Sequence, residues 1–171
     1  GKLNFAASVV PARPFLRRLI NAIFTVKKPY HFIRITKNIR EDLLIWAEFL
    51  NHYNGVTFFR SLGILPSDAL HLYSDASHLG FGAFYGSRWI QASYPMDWRD
   101  LHISTLELYP IYVLVSLFGH LFKNHSILFH CDNMAVTHII NNQTSAVKEN
   151  MSIVRPLVLL LMKLNISLKS E

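Results

Sequence analysis

Three carboxylates, Asp75, Glu107 and Asp132, stand at points where the pattern of the chain changes. Asp75 closes an alternating stretch at 70–75, and Asp132 follows a short apolar run at 127–131 and precedes a helical pattern. Glu107 falls in the first turn of a long apolar segment between them in sequence. If the strands at 70–75 and 127–131 lie parallel and adjacent, their carboxyl ends bring Asp75 and Asp132 together, where open α/β sheets hold ligands. Three converging carboxylates suit a hard divalent cation, and oxygen ligands favour Mg²⁺ or Mn²⁺ over zinc. Each acid also has an ordinary reading. Glu107 follows Ser104 at capping-box spacing, Asp132 suits a helix N-cap, and Asp75 suits a turn. Asp68, Asp97 and Asp100 lie in connector or loop contexts and read as solvated.

The elements that must position these acids follow from periodicity. Within 70–75, Leu70, Leu72 and Ser74 share one side, and His71, Tyr73 and Asp75 the other. A turn at 78–80 leads to strands at 81–85 and 88–94, completing a meander. Residues 104–123 read as a buried helix, apolar nearly all round. Then come a strand at 127–131, a helix at 134–140, a polar loop at 141–145, a helix at 147–164 and a last strand at 166–168. Pro156 should kink the helix that contains it. Upstream, Pro14 can open a helix with Phe15, Leu16, Leu19 and Ile23 on one stripe and Arg13, Arg17 and Arg18 on another. Asn38 and Glu41 have capping spacing, and Leu43, Trp46, Ala47 and Leu50 mark one face of the helix after them, with Trp46 a packing residue. Gly55 stops that helix, and 61–68 is a connector holding Gly63, Pro66 and Ser67.

Composition bounds the answer further. The chain has 171 residues, 51% hydrophobic and 16% charged, which excludes a disordered tail or a low-complexity linker. One domain and a smaller module are expected. The single cysteine, Cys131, leaves no disulfide partner, excludes a Cys-based zinc site and points to an intracellular setting, cytoplasm or nucleus. The apolar run at 106–122 is interrupted by Glu107, Pro110 and His120, so no membrane span is expected, nor a signal peptide. The first residue is Gly1, which suggests a piece of a longer chain. Net charge is +6, unevenly placed: residues 1–40 carry nine basic residues and no acid, leaving eight basic residues against eleven acids downstream. Such a cationic end suits a polyanion, above all nucleic acid; a solvated basic surface is the plain alternative.

The strings LYSDASHLGFGAFYG, STLELYPIYVL and ILFHCDNMAVTHIIN together resemble the ribonuclease H domain attached to reverse transcriptases, in particular that of DIRS-type (tyrosine-recombinase) retrotransposons. GKLNFAASVVPARPFLRRL and HFIRITKNIREDLLIWAEFLNHYNG resemble the thumb and connection of the same polymerase, so the resemblance covers nearly the whole chain. It implies an α/β (α+β) fold of RNase H-like type: a mixed sheet of three antiparallel strands, with two later strands parallel to the first, flanked by helices. Residues 1–60 would be the thumb or connection segment and 69–171 the RNase H-like domain.

The resemblance further implies an RNA–DNA hybrid as partner, a polymerase domain upstream, and Asp75, Glu107 and Asp132 as catalytic ligands to two Mg²⁺ ions, with Mn²⁺ possible. Arg13, Arg17, Arg18, Lys27 and Lys28 would meet the nucleic acid's phosphates. Asn133 could bond sugar or phosphate beside a helix start that offers N–H groups, or be simply a polar first-turn residue. His130 reads as a partly buried strand histidine rather than a zinc ligand. The family's fourth acid normally lies past the last strand, and Glu171, in or directly after that strand, does not match it. Three readings follow: an active hybrid nuclease, an inactive remnant that still binds nucleic acid, or a linker between polymerase and nuclease.

Overall fold

The computed structural model describes residues 2–7, 12–28, 30–51, 64–65 and 72–171. The chain divides into two compact units, Gly1–Phe58 and Phe59–Glu171. The first is helical: α1 (Lys2–Ala6), a 3₁₀ turn at Arg13–Phe15, α2 (Arg17–Phe24) and α3 (Lys37–Asn51). Its core is Ala12, Phe15, Leu16, Ile39 and Trp46, with Phe49 meeting the rings of both Phe15 and Trp46 edge-on. Trp46 is thus a packing residue, as expected.

Three details differ from the sequence expectation. Thr36, not Asn38, caps α3, its hydroxyl accepting the Ile39 N–H, so Asn38 lies one residue inside the helix. The buried stripe of α3 is Ile39, Asp42 and Trp46, which leaves Ala47 and Leu50 exposed. Ile23 is also exposed, because burial of the Pro14 stripe stops at Phe15 and Leu16. Gly55 lies outside the described residues.

The second unit contains β1 (Ile64–Leu65), β2 (Tyr73–Ala76), β3 (Gly80–Tyr85), β4 (Arg88–Ser93), α4 (Ile103–Phe118), β5 (Ser126–Phe129), α5 (Met134–Asn142), α6 (Lys148–Lys163) and β6 (Ser167–Ser170). β2, β3 and β4 form the antiparallel meander, with Asp75 opposite Gly82 and Phe84 between Tyr73 and Trp89. Gly80 has to be glycine, since a Cβ there would come within 2.5 Å of the Ala92 carbonyl oxygen. The expected alternation holds at its described end: Leu72 is buried while Tyr73 and Asp75 face solvent. Leu70 and His71 lie outside the described residues.

The inner face of the meander packs on α4 through Phe81, Tyr94 and Leu106, with Trp98 and Tyr109 around them. One polar bond joins these elements. The buried Tyr94 hydroxyl donates to the Leu106 carbonyl at 2.6 Å. In a regular helix that carbonyl would accept the N–H of residue 110, but residue 110 is Pro and has none. Tyr94 therefore supplies the donor that Pro110 removes. Burial, then the neighbouring Tyr109 and Glu107, push the phenol far above its ordinary range, so it remains a donor.

β5 pairs in parallel with β6 along its whole length and with β1 at Ser126 and Ile127. This corrects two expectations. Ile64–Leu65 is a strand inside the stretch read as connector, and among the described residues β5 does not pair with the meander: the hydrogen bonds there form two three-stranded sheets, β1-β5-β6 and β2-β3-β4. A strand has two edges. β6 fills one edge of β5, and β1 fills the start of the other, where the meander strand had been expected. The α/β class stands, with an antiparallel meander and parallel later strands.

α4 continues into a 3₁₀ turn at Gly119–Phe122, and Ile103–Phe122 is long and apolar enough to cross a membrane by length and composition, contrary to the sequence reading. Half of it is buried inside this unit, as befits a core helix. A buried polar cluster ties α4 to α6, with the Thr105 hydroxyl donating to the Asn150 Oδ1 at 2.6 Å. α6 runs unbroken through Pro156, whose missing N–H would have served Ser152 at an exposed position open to water. Asn141, expected in a loop, lies in α5 and clamps β6: its amide donates to the Ser170 carbonyl and accepts the Ser170 N–H.

Tyr94→Phe should destabilise the chain by roughly 1–3 kcal/mol, the range for a buried acceptor left unpaired. Pro110→Ala in the same chain should recover much of that loss, because it restores the backbone donor. Denaturant melts of the double-mutant cycle check this; simple additivity would contradict it.

Candidate functional site

Glu107 reaches the site from α4. The start of that helix is closed by His102, whose ring accepts the Ser104 N–H, so Glu107 does not serve a capping box with Ser104. Its side chain is half-buried, and its Oε2 is cut off from solvent with no hydrogen-bond partner. Burial pushes the Glu107 carboxyl above the usual range, and the charges of Asp132 and Asp75 push it further. Hydrogen bonding by the Asn133 side chain and the nearby His102 pull the other way.

Asp132 and Cys131 follow the end of β5. Strand pairing extends past Phe129, with the Cys131 N–H donating to the Glu171 carbonyl and the Glu171 N–H to Phe129, which fixes the backbone at the site. Asn133, not Asp132, caps α5, accepting the N–H groups of Ala135 and Val136. Asp132 is left exposed and free of a capping role. One ligand atom each from Glu107, Cys131 and Asp132 lies within 4.8 Å of the others. Burial raises the Cys131 thiol pKa; a hydrogen bond with the Asn133 backbone lowers it, and the Glu107 and Asp132 charges add to the rise.

Asp75 stands outside that tight group. It is exposed, and its Oδ1 accepts the N–H of Ala76. It nevertheless lines, with Tyr73, Ser74, His130, Cys131, Asp132 and Glu171, an open cavity of about 400 Å³. The structure therefore brings Glu107 and Asp132 together and sets Asp75 on the same cavity. An orphaned buried carboxylate oxygen among mutually repelling carboxylates is the environment that a divalent cation relieves. The donor set fits one.

The remaining candidates divide. Asn133 is occupied as a cap, and the first helical N–H groups beside it are used by its own side chain, so that helix start is not the open phosphate cradle expected. Arg13, Arg17, Lys27 and Lys28 are exposed. Arg18 is not freely available: its guanidinium binds the buried Asp42 at 3.2 Å and the Asn38 carbonyl. Asp97 and Asp100 are exposed, and Asp68 lies outside the described residues. Sequence reasoning passed over Cys131 and Glu171 as site residues. His130 stacks beside Tyr73 and places its Nδ1 3.4 Å from the Glu171 Oε1. Their signal was adjacency: Cys131 directly precedes Asp132, and Glu171 follows the strand paired with β5.

No family model matches the sequence, and no curated protein matches it. Among solved structures, the chain is similar to the native protease-reverse transcriptase of prototype foamy virus, at 14% identity and a TM-score of 0.42. The match covers 99% of this chain but 23% of that one, so this chain spans less than a quarter of that protein's length. At this level the likeness supplies no correspondence between individual residues.

The raised Glu107 pKa has a thermodynamic consequence. The folded state favours the neutral carboxyl; that stabilisation is complete below the unfolded pKa and is lost as pH rises through the folded value. Glu107→Gln, which cannot ionise, should therefore melt higher than the parent chain at neutral pH, with the gap closing in acid. Thermal melts across pH check this, and a gap that widens in acid would contradict it.

Proposed function

We propose that this chain is a metal-dependent, RNase H-type nuclease segment of a reverse transcriptase, cleaving the RNA strand of an RNA–DNA hybrid. The observation that supports the reading most is the meeting of Glu107 and Asp132 beside a cavity that Asp75 also lines. Asp75, Glu107 and Asp132 would hold Mg²⁺, with Mn²⁺ an alternative. Bound there, such ions would supply Lewis acidity and a water made nucleophilic at neutral pH.

The chain's own contributions follow from burial. Glu107, held by α4 with one oxygen shut off from water, is the fixed inner anchor. Asp75 and Asp132 are exposed, so they would be open to an incoming phosphodiester. The hydrogen bonds joining Cys131, Phe129 and Glu171 keep the end of β5 from fraying, so that Asp132 stays in place. An RNA strand is told from DNA by its 2′-hydroxyl. Assignment to DIRS-type elements rests on the sequence strings quoted above, as does the upstream polymerase.

Exposed Arg13, Arg17, Lys27 and Lys28 would add affinity that is independent of base sequence. A second reading is binding without cleavage.

With a labelled hybrid and Mg²⁺, the chain should cut the RNA strand, and Asp75→Asn should slow cleavage by roughly a hundredfold or more, as expected when one fixed charge-stabilising group is removed. Hybrid affinity should barely change. Cleavage that survives Asp75→Asn, or that proceeds equally in chelator, would contradict the proposal; intact binding with no cleavage at all would favour the second reading.

The basic module gives a separate expectation. Arg17→Ala should weaken hybrid binding and reduce the slope of log affinity against log salt by about 0.9, one phosphate contact. Arg18→Ala should act mainly on stability, because it removes the guanidinium that binds the buried Asp42 carboxylate and the Asn38 carbonyl. Filter binding at several salt concentrations, with melting curves, separates the two; an unchanged slope for Arg17→Ala would assign that charge to solubility.

A further inference from the structure

The carboxylate site contains a sulfur atom that Mg²⁺ chemistry does not require. Cys131 Sγ, a Glu107 carboxylate oxygen and an Asp132 carboxylate oxygen lie within 4.8 Å of one another, Glu107 from α4 and the other two from the loop between β5 and α5. Four-coordinate zinc, with Zn–S about 2.3 Å and Zn–O about 2.0–2.2 Å, sets its ligands about 3.4–3.6 Å apart. Closing the observed set onto such an ion needs a shift of about an ångström, within reach of a side-chain rotation at exposed Asp132. Two further features point the same way. Glu107 Oε2 is buried and has no hydrogen-bond partner, so one oxygen of this carboxylate lacks a donor or a cation. The Cys131 thiol's contact to the Asn133 carbonyl is long, at 3.8 Å.

We propose that Glu107, Cys131 and Asp132 form a one-sulfur, two-carboxylate site for a thiophilic divalent cation of the zinc class, and that its occupation shuts off the Mg²⁺ site. The shut-off follows from sharing and rests on the function proposed above: two of the three Mg²⁺ ligands are consumed by the softer ion. Preference follows from ligand type, since thiolate selects zinc-like ions while an all-oxygen set suits Mg²⁺. This departs from the sequence expectation that a lone cysteine excludes any Cys-based zinc site: one cysteine rules out Cys-rich structural sites but not this mixed set. Three protein ligands leave the fourth position to water, so the site is suited to reversible occupation rather than to holding the fold together.

The test uses the 171-residue chain and Cd²⁺ as a spectroscopic stand-in for zinc, read by the thiolate-to-metal absorption band. Cys131 is the sole cysteine, so any such band reports on this residue. The parent chain should develop the band with one equivalent of Cd²⁺. Glu107→Gln and Asp132→Asn should each weaken binding roughly tenfold or more. Asp132 is exposed and caps nothing, so its variant keeps the fold; circular dichroism verifies this for both. In the cleavage assay, the zinc concentration that halves Mg²⁺-dependent activity should rise about tenfold in Cys131→Ser. No band at stoichiometric Cd²⁺, or a band with unchanged affinity in both carboxylate variants, overturns the proposed site. A band that behaves as described, with no hybrid cleavage under any condition, leaves the metal site standing and removes the nuclease reading instead. Cleavage that zinc halves equally in the parent chain and Cys131→Ser overturns the shut-off.

Discussion

The Tyr94 hydroxyl on the Leu106 carbonyl is the bond on which the second unit's geometry depends. α4 contains a proline, and a proline strips one carbonyl of its helical donor. Had that carbonyl remained buried and unpaired, the helix would have had to bend or open there. Tyr94 closes the gap from outside, at the point where β4 leaves the meander. The same contact therefore lets Pro110 sit in a buried helix and fixes that helix against the sheet. Glu107 is the next residue along. Its position relative to the strand ends is set by this bond and by the aromatic packing of Phe81, Tyr94, Trp98 and Tyr109 around it.

From that fixed helix, the site is a matter of where strands end. The paired backbones of Cys131, Phe129 and Glu171 carry β5 to the point where Asp132 projects. Asn133 then turns the chain into α5 by capping it, which leaves Asp132 free for solvent or a cation. Asp75 belongs to the other sheet and reaches the same cavity without sharing backbone hydrogen bonds with β5. Two separately hydrogen-bonded sheets thus bring acids to one opening. Like charges gathered around a half-buried carboxylate make a place where a proton or a cation is favoured.

Much of this was legible in the sequence, because the strongest signals were local. Alternation around Tyr73 and Asp75, the apolar stretch around Leu106 and Leu114, and the run at Ile127–Phe129 gave the element types and their order. What was not legible depended on partners distant in sequence. Nothing near Ile127 shows that Ile64 pairs beside it, so among the described residues two sheets stand where one was expected. Caps were misplaced where a neighbour could do the same job: Thr36 for Asn38, His102 for Ser104, Asn133 for Asp132. Arg18 looked like its neighbours Arg13 and Arg17 because the buried Asp42 that claims it lies 24 residues on. The chemistry of the candidate site was visible in its acids but incomplete, since a lone cysteine gives no spacing pattern.

The central claim is that Glu107, Asp132 and Asp75 surround a divalent-cation site. Titrating Mg²⁺ into isotope-labelled protein and following backbone amide resonances tests it most directly, without substrate. The account predicts saturable shifts at Asp75, Glu107, Cys131 and Asp132, absent from Glu107→Gln. Shifts confined to exposed acids such as Asp97 and Asp100, or unaltered by Glu107→Gln, would contradict it.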